Sequence, residues 1–155
     1  MQWAKKLEQL EERTLPHFNQ LVTWVLLGSA AVVVPWQFQI QAGPRGGFVT
    51  LLSWLPDDVV RSSLTWLLLR GLLAVGIVLW WMQRWLPWSC WLVVGSFIAL
   101  WSLHVETTHN TAHIFNMVSM LLVIEAVWIT ADAPLIRERW NEGTYWQKAL
   151  VPRWV

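Results

Sequence analysis

Apolar and polar residues fall in long blocks along this chain. Residues 2 to 14, "QWAKKLEQLEERT", carry Trp3, Leu7 and Leu10 at helical spacing among alternating charges, which predicts a short amphipathic helix lying at a membrane surface. Pro16 closes it. "LVTWVLLGSAAVVV" then runs from Leu21 to Val34 without a charge. With Phe18 before it and Trp36 after it, this run reaches about the twenty residues a bilayer demands, and a first span is predicted over about 18–36.

From Gln37 to Pro56 the chain reads "QFQIQAGPRGGFVTLLSWLP", where Gly43, Pro44, Gly46 and Gly47 break any continuous helix. A long external or re-entrant connection is predicted, resting "FVTLLSWL" on the membrane. Asp57 and Asp58 are N-cap candidates, and "VVRSSLTWLLLRGLLAVGIVLWWMQRW" follows without a breaker until Pro87. The second span is predicted within about 64–83. A tight "QRWLPW" turn leads to "SCWLVVGSFIALWSL", a third span over about 88–103. "IFNMVSMLLVIEAVWITA" supplies a fourth, over about 111–131. From Asp132 onward, charges mixed with Trp140, Tyr145, Trp146 and Trp154 predict an interfacial tail over 132–155. The pattern as a whole predicts an all-α integral membrane four-helix bundle in a single domain.

Composition narrows this picture. A hydrophobic share of 55% against 14% charged is too greasy for a small water-soluble domain of 155 residues. Fifteen tryptophans stand against one tyrosine. Indoles favour the headgroup level, and Trp24, Trp36, Trp54, Trp66, Trp85, Trp88, Trp101 and Trp128 fall near predicted span ends. A net charge of +1 leaves no electrostatic footprint for nucleic acid. Cys90 is alone, which excludes an intrachain disulfide and any Cys-based zinc or iron-sulfur site built within the chain. The first apolar run comes too late for a cleavable signal peptide, so the first span is expected to stay as an anchor.

Orientation is read from Lys and Arg. Lys5, Lys6, Arg13, Arg84, Arg137, Arg139, Lys148 and Arg153 fall on one side of the predicted spans, and only Arg45 and Arg61 fall on the other. Both termini are therefore expected in the cytoplasm, in a bacterial-type inner membrane or its equivalent.

Candidate chemistry gathers at "HVETTHNTAH", residues 104 to 113, which holds three of the four histidines. If the fourth helix starts early, Glu106 and His109 fall about 60° apart and His113 about 40° further on, with Asn116 continuing the face. His104 joins only if the chain turns near Thr107 and Thr108. One reading is a metal site of His104, Glu106, His109 and His113. Glu-x-x-His is the arrangement of bundle-type di-iron proteins, and imidazole with carboxylate suits zinc. The plainer reading is a polar turn, with Thr107, Thr108 or Asn110 capping the fourth helix. Asn116 lies deeper than a cap requires, and a buried amide there must bond to another helix or to a ligand. Haem is not expected, because three histidines cluster at one hairpin while His17 lies across the membrane.

Arg70, inside the second span, is either a cation reaching for the outer headgroups or held in a structural ion pair, or it is a clamp for an anionic headgroup or carboxylate with Glu106 as resting partner. Both readings put it on the inward face. Glu125 is read as a charge near the inner surface in preference to a proton-accessible acid. Gly71, Gly76, Ser96 and Ser119 are small enough for close helix approach. No Gly-rich phosphate cradle and no nucleophile with an adjacent base is found.

The order of an uncharged first span, the connection "GPRGGFVTLLSWLP", the span "LLLRGLLAVGIVLWW", a short turn and the polar "THNTAHIFN" resembles the membrane domain of vitamin K-dependent gamma-carboxylases and their bacterial HTTM relatives. Helical bundles of the DoxX kind share parts of this layout. The resemblance covers about residues 18–131, the first four spans of such a domain. In the carboxylases, oxidation of a reduced quinone drives removal of a proton from glutamate, with essential groups from later parts of the chain. The resemblance thus implies a half-length relative, a fragment or a subunit that binds a lipid or quinone.

The favoured expectation is an accessory membrane protein, not an enzyme as an isolated chain. Arg70, Glu106, His109, His113 and Asn116 would contact the head of a lipid or quinone-like amphiphile, or the chain would join a partner membrane subunit or a second copy of itself. The alternative is a membrane oxidoreductase or metal-dependent enzyme subunit that uses His109 and His113 for zinc or iron binding or proton transfer.

Overall fold

Apolar runs bounded by Pro and Ser set the helices seen in the computed structural model, which describes residues 20–34, 54–108 and 113–136, with side chains over 20–34, 54–105 and 113–131. The described residues form helices α1 (Gln20–Val33), α2 (Asp57–Val60), α3 (Ser63–Trp81), α4 (Trp88–Thr108) and α5 (His113–Ile136), with no strand among them. The amphipathic helix expected over 1–16, the connection around 37–53 and the tail beyond Ile136 lie outside the described residues.

Three of these helices are long and apolar enough to cross a membrane: Ser63–Trp81, Trp88–Val105 and His113–Ala131. α1 is a shorter apolar helix. α4 packs against both α3 and α5. Its buried residues Cys90, Val93, Val94, Phe97 and Leu100 recur at the three- and four-residue spacing of one helical face. α3 buries only Trp66, Leu73, Gly76 and Trp80, and turns Leu64, Leu67, Leu68, Leu72, Val75 and Val78 outward. A helix facing water would carry polar residues there, so this outward leucine face fits hydrocarbon surroundings.

α1 bridges α3 and α5. Trp24 tilts against Trp81 with ring centroids 6.2 Å apart, and Thr23 bonds to Glu125 of α5. The start of α1, the ends of α3 and α5 and the start of α4 therefore share one end of the molecule, where the Trp91 indole also donates to Thr130 Oγ1 at 2.8 Å. Trp24, Trp81, Trp85, Trp88, Trp91 and Trp128 are all exposed at that end.

The run from Asp57 to Trp81 is not one helix. Pro56, with φ −60 and ψ 149, is the N-cap of α2, so Asp57 and Asp58 are first-turn residues and not caps. Ser62 is extended at φ −69 and ψ 125 and separates α2 from α3. The Trp66 indole donates to Val60 O at 3.1 Å and so binds a carbonyl at the end of α2 that the helix leaves open. α3 ends on a Schellman motif. Gln83 N–H donates to Trp80 O at 2.9 Å and Arg84 N–H to Leu79 O at 2.8 Å, with Gln83 at φ 56 where glycine is usual.

Of the small residues expected to admit close packing, Gly76 does so. A Cβ there would stand 2.9 Å from Val93 Cγ2 and 3.2 Å from Val93 N. Gly71 faces open space, and the expectation for it is corrected. The Ser96 and Ser119 hydroxyls each donate within their own helix, to Leu92 O and to Phe115 O, both at 2.6 Å.

Candidate functional site

Residues 104 to 108 and His113 are helical, and residues 109 to 112 lie outside the described residues. α4 continues through Thr108 and α5 begins at His113; the membrane-length part of α4, Trp88–Val105, lies close to the expected 88–103. No Gly or Pro interrupts "HVETT", and a fall in hydrophobicity does not by itself end a ladder of backbone hydrogen bonds. Glu106 consequently belongs to α4. His113 and Asn116 belong to α5. The side chain of Glu106 and all of His109 lie outside the described residues.

His104 is half-buried, its ring 5.5 Å from that of Phe115, which in turn lies 6.2 Å from Phe97. His113 precedes Phe115 by two residues and so projects about 160° away from it around α5. It is exposed, and the two imidazoles point to different sides of that helix. Asn116 is exposed as well, on the outer surface with Met117 and Met120, which corrects the expectation of a buried amide. Among the described residues no three His, Cys, Asp or Glu side chains gather to hold a metal ion.

Arg70 is half-buried on α3, one turn beyond Trp66, with its guanidinium carbon 5.5 Å from the indole centroid. That is within the range of a cation–π contact. This contact joins Arg70 to Trp66 of its own helix.

A second polar feature joins α1 to α5. Glu125 is 1% exposed, and the Thr23 hydroxyl donates to its Oε1 at 2.9 Å across 102 residues of chain. The carboxyl is buried within the protein, covered by α1, whose Thr23 meets it. An acid alone in an apolar run had to find a partner on another helix, and that rule was the available signal. Thr23 gave no signal of its own, because a threonine in an apolar run more often bonds within its helix.

No family, no curated protein and no solved structure matches the chain.

Proposed function

We propose that this chain is a multi-pass integral membrane protein in which α1, α3, α4 and α5 each cross the bilayer and both termini face the cytoplasm. Its role in this reading is accessory. It holds an amphiphile against the bundle, or joins a partner membrane subunit, and does not itself catalyse. The comparison with the first four spans of an HTTM-type domain belongs to the same reading.

The observation that carries it is the buried Thr23–Glu125 hydrogen bond of 2.9 Å. Glu125 lies within a helix of membrane-crossing length, so a helix that offers it a hydroxyl shares its depth. α1 then counts as a fourth span, and an even number of spans returns the chain to the side it left. The surplus of Lys and Arg before α1, at Arg84 and after α5 supports the cytoplasm as that side. For the amphiphile, a groove of about 250 Å³ between α1 and α5, walled by Leu21, Val25, Leu26, Val118 and Leu121, suits part of an apolar tail.

Single cysteines introduced into a Cys90→Ser background test the topology. In intact cells a membrane-impermeant maleimide is expected to label Asn110→Cys, and to label Arg84→Cys and Gln147→Cys only after the membrane is opened. Labelling of positions 84 and 110 from the same side would overturn the four-span reading.

A further inference from the structure

The bend between α2 and α3 places a cation beside a depression on α3. Ser62 breaks the helix, and Trp66 reaches back to Val60 O, so the indole is pinned in one orientation with 4% of its surface exposed. Arg70 lays its guanidinium on that fixed ring. Ser63, Leu64, Trp66, Leu67 and Arg70 line an open depression of about 360 Å³ along one side of α3. Leu64 and Leu67 flank it and face away from the bundle, at 60% and 66% exposed.

We propose that this pocket binds an anionic glycerophospholipid, with Arg70 and the Ser63 hydroxyl holding the phosphate and the acyl chains lying on Leu64, Leu67 and Leu68. The proposal rests on α3 being a bilayer span. Its 19 residues then extend about 28 Å, close to the hydrocarbon thickness. Arg70 is attached about 10 Å below the start of α3, and its contact with Trp66 carries the guanidinium about one turn back toward that start. The cation therefore sits about 5 Å inside the start of α3, within reach of headgroup phosphate and ester oxygens drawn down to it.

A guanidinium offers several donors in one plane, which suits two oxygens of a phosphodiester. Snorkelling alone needs only a flexible stem. Here the cation is seated on a ring that is itself tied to the backbone, so the donors are oriented before a ligand arrives. The leucine face supplies the second half of an amphiphile's chemistry, continuous with the cation along the same side of one helix. A soluble phosphate would find the charge and leave that face unused.

The full chain in detergent, titrated with phosphatidylglycerol or phosphatidylcholine of matched acyl chains and read by native mass spectrometry, tests the proposal. Phosphatidylglycerol is expected to bind roughly fivefold tighter, as one cation near an anionic headgroup implies. Arg70→Gln should abolish that preference, whereas Arg61→Ala, which removes a cation outside the pocket, should leave it in place. Glycerol phosphate alone should not compete. On the unmutated chain, phosphatidylglycerol with a photoactivatable group near its headgroup should crosslink within residues 63–70.

Equal binding of the two lipids, a preference that survives in folded Arg70→Gln, or crosslinks only elsewhere would each overturn the site. Competition by glycerol phosphate would replace the lipid with a free phosphate. The cysteine labelling pattern is independent of all four results, so failure of the lipid site and failure of the four-span reading can be told apart.

Discussion

At the scale of single residues, the chain's unusual chemistry rests on two side chains that hydrocarbon would otherwise punish. Arg70 is accommodated by an indole on its own helix. Glu125 is accommodated by a hydroxyl from another helix. Thr23→Val removes that donor and is expected to destabilise the folded protein by about 1 kcal/mol, in the range of interhelical hydrogen bonds in membranes. Glu125→Ala also opens a cavity in a closed core and should cost roughly 2–4 kcal/mol. Glu125→Gln keeps an acceptor and should cost least. Unfolding in mixed micelles, run as a double-mutant cycle on Thr23 and Glu125, measures the coupling, and a coupling near zero would reduce the contact to coincidence. The sequence made Arg70 and Glu125 visible as anomalies, because a charge in an apolar run announces itself. It could not make their partners visible, since Trp66 is one of fifteen tryptophans and Thr23 an ordinary polar residue.

At the scale of helices, hydropathy located the membrane-length segments well and their ends less well. The cores of α3, α4 and α5 coincide with the apolar runs, because length without charge is what both a bilayer and a helix-rich core select. The ends differ where lipid depth and backbone bonding part company. α4 continues through polar "HVETT", and α2 is cut from α3 at Ser62 although neither Gly nor Pro stands there. Glycines illustrate the same limit, since only tertiary facing separates Gly76 from Gly71. Gly76→Ala forces Val93 and its backbone nitrogen away from α3 and should destabilise the α3–α4 pair by about 1–3 kcal/mol. Gly71→Ala meets nothing within 4 Å and should be neutral or slightly stabilising through helix propensity. Thermal unfolding of the two variants in the same detergent checks the contrast, and equal losses would contradict the packing described for Gly76.

At the scale of the whole molecule, Trp54 is exposed near one end of the described helices, and six exposed indoles gather at the other. Indoles settle where hydrocarbon meets headgroup, so that end marks a membrane boundary. Lipids brominated high on the acyl chain, near the glycerol, are therefore expected to quench tryptophan fluorescence more than lipids brominated at the chain terminus. Stronger quenching from the bilayer centre would set the bundle at a different depth. The candidate site was less legible than the fold at this scale. The histidine-rich stretch suggested one assembled cluster, yet His104 packs on Phe115 while His113 and Asn116 face outward. The feature that ties distant parts of the chain together was the lone acid of the last apolar run.

That acid bears on how the chain is made. A segment leaving the translocon is tested for its preference between lipid and the aqueous channel, and a carboxylate within it weighs toward the channel. The hydroxyl that meets Glu125 was synthesised 102 residues earlier. If α1 spans the bilayer as proposed, that hydroxyl is in place before α5 emerges, and Thr23 can offer the acid a partner as α5 inserts.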